Sequence, residues 1–189
     1  MSDRPNSTGD RLDPAARAEP GGGADPVGDR PDSVGGHTYH LPEGLPAPAP
    51  SPDGLGAEFF AAARRHELVV QRCPSCGTWQ WGPEYVCHHC LSFNLAYERV
   101  EPRGSIYSFE RCWHPVHPAL NEAVPYLVVL VELPQAGGVR MVGNLQGDPL
   151  QDVEIGAQVE AVFEDHEEAD PPFTLVHWRV PSKGTVWPG

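Results

Sequence analysis

Four of the five cysteines in this chain form two C-x-x-C pairs, Cys73-Pro74-Ser75-Cys76 and Cys87-His88-His89-Cys90, with ten residues between the pairs. No other feature constrains the fold as much. A C-x-x-C turn brings two thiolates to one side of a tight loop, and two such loops complete a tetrahedral S4 shell around one ion. Leu68-Val69-Val70-Gln71-Arg72 leads into the first pair, and Thr78-Trp79-Gln80-Trp81 follows it as a second alternating run. Gly77 permits the positive φ that the first knuckle needs, and Gly82-Pro83 turns the chain toward the second. The short gap fits a compact, rubredoxin-like zinc ribbon over residues 68–95. Tetrahedral S4 suits zinc or iron. One small site attached to a larger β domain favours structural zinc, held by Cys73, Cys76, Cys87 and Cys90. His88 and His89 are alternative ligands by type, but four thiolates already fill the shell. A closed shell leaves no position for water or substrate, so metal-centred catalysis is not expected.

Charge narrows the function. The 189 residues carry 13 Lys+Arg and 26 Asp+Glu, a formal net charge of −13. Residues 1–54 hold four basic and nine acidic groups, or −5, which leaves −8 on the other 135. Phosphate-backbone binding needs Lys/Arg clusters, so nucleic acid is not an expected partner. The longest apolar run, Tyr126–Val131, has strand length and falls far short of the ~20 residues of a membrane helix. Met1-Ser2-Asp3-Arg4-Pro5 lacks the basic-then-apolar design of a signal peptide. A cytoplasmic, reducing location is the default expectation, and there paired C-x-x-C motifs are metal ligands rather than disulfides.

Residues 1–54 hold ten prolines, nine glycines and one aromatic, Tyr39. Such a segment buries too little apolar surface to offset the entropy of ordering, and a disordered tail is expected. Thr38-Tyr39-His40-Leu41-Pro42 is its one candidate partner-binding arm. The alanine-rich stretch at 55–67 predicts a helix capped by Ser51 or Asp53, with Phe59, Phe60 and Ala63 as its apolar stripe. Two adjacent phenylalanines cannot both face one narrow stripe, so one of them is free to meet a partner or ligand.

The region 96–181 reads as five strands without a long helix. They are Gly104–Trp113, Tyr126–Leu133, Val139–Leu145, Gln158–Glu164 and Phe173–Val180. Five antiparallel strands of this length close into a small barrel to remove exposed edges, and the OB-fold is the expected form. Residues 182–189 form a short tail. In the first strand, Tyr107, Phe109 and Cys112 are candidates for burial. Tyr126–Leu133 is apolar nearly throughout, as a central strand would be. Cys112 and His114 share a strand face about 7 Å apart, but the simpler reading of Cys112 is packing, and no acid/base or nucleophile set stands out. His114-Pro115-Val116-His117-Pro118 is either a rigid connector or a cover for a groove. An anionic ligand would have to use Arg103, Arg111, Arg140, Arg64, Arg65 or Arg72.

The order helix, C-x-x-C, C-x-x-C, five-stranded barrel resembles the zinc-ribbon OB-fold proteins of acyl-CoA metabolism, domain-of-unknown-function family thirty-five. The resemblance covers roughly residues 55–181. It rests on Phe59-Phe60 through Leu68, Gln71-Arg72-Cys73-Pro74-Ser75-Cys76-Gly77 and Cys87-His88-His89-Cys90. It continues in Gly104-Ser105-Ile106-Tyr107-Ser108-Phe109, Pro125–Leu133 and Ile155-Gly156-Ala157-Gln158-Val159. His66 departs from the pattern, since such proteins often carry glycine there, but His tolerates a left-handed backbone better than most residues.

The resemblance implies a small non-catalytic accessory subunit. Its partner would be a thiolase-like, aldolase-like or lipid-transfer-protein-like enzyme, or a MaoC-type enoyl-CoA hydratase, with the catalytic residues on that partner and acyl-CoA as a possible shared ligand. Phe59, Phe60, Trp79, Trp81, Arg111 and Trp113 are the candidate partner or ligand contacts, with burial in the ribbon–barrel seam the alternative for the tryptophans. Two other readings are a single-stranded nucleic-acid binder, which the acidic balance opposes, and a rubredoxin-like electron carrier, which requires iron.

Overall fold

A computed structural model describes residues 54–181, together with residues 33, 34, 37, 38, 40, 42, 44–46 and 48. The remaining tail residues, including Ser51, Asp53 and 182–189, lie outside the described set. Strands β1 (Ser33–Val34) and β2 (His37–Thr38) pair with each other. Helix α1 (Ala57–Ala63) precedes β3 (Leu68–Arg72), β4 (Trp79–Gln80) and β5 (Ala96–Val100). Then follow β6 (Arg103–Cys112), β7 (Tyr126–Leu133), β8 (Val139–Asn144), β9 (Gln158–His166) and β10 (Phe173–Arg179).

Part of the stretch expected to be disordered has defined contacts. The His40 N–H donates to Glu164 Oε2 at 2.7 Å, and its ring lies 5.0 Å from that of His177. His40, from the candidate partner-binding arm, therefore meets the barrel of its own chain.

The helix is shorter than the 55–67 span predicted. It has seven residues, with Gly56 at the N-cap and no side-chain cap. It ends in a Schellman motif, in which the Glu67 N–H donates to Ala62 O at 3.0 Å and the His66 N–H to Ala63 O at 2.8 Å. His66 takes the left-handed position of that motif, with φ 56°. Ala62 and Ala63 are fully buried, and the helix packs on β3 and β10.

Two sheets follow. The ribbon sheet has the order β4-β3-β5 and the barrel sheet the order β10-β9-β6-β7-β8. Ala96–Val100, grouped with the barrel by sequence, instead pairs antiparallel with Leu68–Arg72. The ribbon sheet thus spans the boundary expected at residue 95. The barrel nearly closes where Leu145 bridges Trp178 and the Gln146 N–H donates to Trp178 O at 2.7 Å. This removes most of the exposed edge, as expected for an OB-fold.

Register decides which side chains reach the core. The β6–β7 ladder slips between Ile106 and Ser108. This bulge turns Tyr107 outward, contrary to its predicted burial, while Ile106 is fully buried. It leaves Phe109 and Cys112 only half-buried. Strand β7 alternates along its length, with Leu127, Val129, Val131 and Leu133 inside and their neighbours half-covered. It lies between β6 and β8, second from one end of the order. Leu68 and Val70 of the ribbon join Ile106, Val129, Val131, Val159 and Trp178 in one core, so ribbon and barrel share their interior.

Candidate metal centre

The two knuckles are the same local structure built twice. The Cys73 N–H donates to Thr78 O at 2.8 Å and the Gly77 N–H to Cys73 O at 2.7 Å. In the second knuckle, the Cys87 N–H donates to Ser92 O at 2.9 Å and the Leu91 N–H to Cys87 O at 3.0 Å. Gln80 and Gln71 hold the knuckles together. The Gln80 carboxamide donates to Gln71 Oε1 at 3.3 Å and accepts from the His88 N–H at 3.3 Å. Gln71 Oε1 also accepts from the Glu84 N–H at 2.9 Å.

All four sulfurs lie within 4.8 Å of one another, with Cys73–Cys90 and Cys76–Cys87 both at 3.6 Å. Disulfides are excluded, since a bonded pair sits at about 2.05 Å. A tetrahedron of sulfurs about 2.3 Å from a central ion has edges of about 3.75 Å, and the observed spacing fits such an ion. Cys73 and Cys87 are buried while Cys76 and Cys90 face out, so the ion would be held at the edge of the ribbon. The thiols are poised unequally. Cys76 is lowered to about 5, first by the hydrogen bond to the Thr78 side chain and then by the Thr78 N–H. At Cys90 the Ser92 N–H pulls downward, but Cys76, burial and Cys73 outweigh it and push the thiol up to about 12. A cation placed between the four sulfurs would hold all of them as thiolates. Such an ion would fasten the two hairpin ends, with no open coordination position.

The six candidate contact residues part ways. Trp79 and Trp81 are half-buried against the shared core. Gly137 approaches the Trp79 indole so closely that a Cβ there would lie 2.9 Å from Cδ1. On the same ring, the Arg72 guanidinium sits 5.1 Å from the centroid. Trp81 meets Phe59 edge-on at 5.1 Å, and Phe59 meets Phe60 at 5.4 Å. Trp79, Trp81 and Phe59 therefore line the seam between helix, ribbon and barrel, and Phe60 is half-buried against Phe59. Arg111 is held within the chain, donating to Pro149 O at 2.8 Å and Gln151 O at 2.6 Å. Trp113 is 63% exposed.

The other sequence candidates also find local roles. Cys112 lies opposite Tyr126, whose phenol is pushed up by burial and by the cysteine. His117 Nδ1 accepts from the Ala119 N–H at 3.2 Å and so caps the short 3-10 turn Pro118–Leu120. Arg64, Arg65, Arg72 and Arg140 pair with Glu167, Glu67, Glu98 and Glu132 respectively. A cleft of about 400 Å³ opens beside Trp79, lined by Glu98, Arg99, Glu101, Pro102 and Gln135. Two carboxylates against one guanidinium make it a poor seat for phosphates.

Three exposed side chains on the second knuckle escaped the sequence reading, namely Tyr85, Leu91 and Phe93. Two signals were present. No Asp, Glu, Lys or Arg occurs between Glu84 and Glu98, and leucine stands where the first knuckle has glycine.

A ribbon with an S4 site, sharing one core with a five-stranded barrel, defines a zinc-ribbon OB-fold protein. The chain belongs to the DUF35 zinc-ribbon OB-fold family: residues 60–96 match the rubredoxin-like zinc ribbon domain of ChsH2 and residues 97–164 its C-terminal OB-fold domain. It is 40% identical over 142 residues to a "Probable enoyl-CoA hydratase alpha subunit" of Thermomonospora curvata, covering 75% of this chain and 42% of that one. It is 30% identical over 100 residues to a "DUF35 domain-containing scaffold protein" of Methanocaldococcus jannaschii, covering 52% and 69%. A solved "Ltp2-ChsH2(DUF35) aldolase" chain is similar in structure, with TM-score 0.58, 38% identity and coverage of 70% of this chain and 98% of that one. The chain thus spans less than half of the hydratase subunit it matches. Among the described residues, no helix is long and apolar enough to cross a membrane.

Proposed function

We propose that this chain is a non-catalytic accessory subunit that docks on a thiolase-like or lipid-transfer-protein-like enzyme and supports its handling of acyl-CoA. The observation that carries this reading is the structural match to a chain of the Ltp2-ChsH2(DUF35) aldolase, covering 70% of this chain and 98% of that one. A scaffold protein and a hydratase subunit among the relatives agree with it, and the latter adds an enoyl-CoA hydratase as a second partner class. Zinc in the S4 site would have a structural role: Cys73, Cys76, Cys87 and Cys90 would hold it, and the shared ion would tie the two knuckles together. The cations sequence reading reserved for an anionic ligand are largely engaged by glutamates or carbonyls. This favours acyl-CoA chemistry on the partner. Trp113, exposed at the end of β6, is the one original contact residue outside the seam that is still largely free to meet another protein.

Co-expression of the 189-residue chain with each thiolase-like enzyme of the same genome tests the reading. The expected result is one co-eluting complex of fixed stoichiometry whose acyl-CoA turnover requires this chain. Persistent separate elution with every candidate enzyme would overturn it.

A further inference from the structure

Two non-glycine residues among those described adopt a left-handed backbone, His66 at φ 56° and Leu91 at φ 63°. A β-carbon makes this conformation unfavourable, and for a bulky residue it is a genuine outlier. His66 recovers the cost within the chain. Its ring stacks on Phe163 at 5.2 Å and 12°, and its Nε2 lies 2.8 Å from Asp165 Oδ2. Leu91 has no such recompense, because its residue is 70% exposed. The equivalent position of the first knuckle is Gly77, at φ 76°, so glycine would satisfy the same turn without strain.

The loop around Leu91 is composed like the centre of an interface. Phe93 is 81% exposed and Tyr85 68% exposed. Aromatic enrichment with depletion of charge distinguishes interface cores from ordinary surface, and the segment between Glu84 and Glu98 has no formal charge. Three large side chains exposed to this degree present on the order of 400 Å². That is about half of the ~800 Å² that a standard interface buries on each partner. A second copy is a poor occupant, since each chain carries −13 and a self-contact would set exposed Glu84 against its own like.

We propose that Leu91, flanked by Tyr85 and Phe93, anchors the chain in an apolar, basic-rimmed recess of the thiolase-like enzyme. This rests on the accessory-subunit reading and names the surface that performs it. The backbone strain at Leu91 is then held ready by the metal clasp and repaid on docking, when the leucine leaves water.

The test separates strain from contact, because the two predict opposite signs. In the 189-residue chain, Leu91→Gly removes both the strain and the side chain. It is expected to retain metal and melt at or above the wild-type temperature, yet bind the co-expressed thiolase-like enzyme about tenfold or more weakly. Phe93→Ser, whose backbone is ordinary, is expected to weaken binding likewise and gives the answer should the first variant fold poorly. Leu150→Ser, at an exposed site on the barrel, is the control and should bind as wild type. Wild-type affinity in both knuckle variants would overturn the surface while leaving the accessory role standing. A wild-type homodimer that Leu91→Gly splits would overturn the enzyme as occupant. Failure of the wild-type chain to bind any thiolase-like enzyme would overturn the accessory role and this surface together.

Discussion

Gly137 lies against the indole of Trp79, and this contact joins the turn after β7 to the ribbon. A β-carbon at residue 137 would meet Trp79 Cδ1 at 2.9 Å, and φ there is 65°. Gly137→Ala therefore combines a left-handed alanine with an overfilled seam. The expected loss is about 1–3 kcal/mol in urea unfolding. In a Trp79→Ala background the added cost of Gly137→Ala should shrink to the backbone part alone. Equal costs in both backgrounds would show that the seam does not close on this contact.

Removing one thiolate from the S4 set leaves three that no longer enclose an ion. Cys76→Ala is expected to abolish stoichiometric zinc and unfold the ribbon, since structural zinc contributes on the order of 10 kcal/mol to small domains. Metal analysis and thermal melting check both parts. A colourless wild-type protein with about one zinc per chain is expected, whereas red colour and iron would favour the electron-carrier reading. Because protons compete for the thiolates, metal release should increase as pH falls.

Glu164 ties the tail segment to the barrel. Its Oε2 accepts from the His40 N–H, while Oε1 lies 3.0 Å from His166 Nε2 and 3.4 Å from His177 Nε2. Burial acts to raise this carboxyl, but His177, the His40 N–H and His166 outweigh it and hold it below the usual range. A depressed folded-state pKa contributes stability that is fully present above the unfolded value of about 4.3 and is lost as pH falls through the folded value. Glu164→Gln should therefore cost about 1–3 kcal/mol near pH 7, with the difference from wild type narrowing below about pH 4. A pH-independent difference would mean that the carboxylate's charge is not what matters.

Arg111 spans the barrel mouth to hold the backbone at Pro149 and Gln151. Arg111→Met keeps much of the stem's packing and removes both donors. We expect a loss of about 1–3 kcal/mol and faster amide exchange over residues 147–152. Unchanged exchange there, with weakened binding of the partner enzyme, would return Arg111 to the contact surface where sequence reading had placed it.

Much of the architecture was legible because it rests on local rules. Cysteine spacing marked both knuckles, and alternating apolar runs marked the five barrel strands to within a few residues. The departures have equally local causes. The bulge beyond Ile106 reversed Tyr107, and no residue pattern in β6 announces a one-residue slip. The helix stopped at Ala63 because His66 could take the left-handed position of a Schellman turn. His66 is also the residue that stands where glycine is usual in the family pattern.

By itself the sequence determined the two cysteine pairs, the order of ribbon and barrel and the acidic character of the folded part. These follow from residue type and spacing along the chain. Only the tertiary structure decided which side chains remain available to a partner. A linear reading leaves Trp79 and Trp81 open between surface anchors and seam residues, and Gly137 and Phe59 arrive from distant segments to pack against them. Leu91 looks like an ordinary leucine until its φ and its exposure are seen together. Exposure is a property of the whole packed chain, because it depends on elements that meet only after the ribbon and barrel have closed on one core.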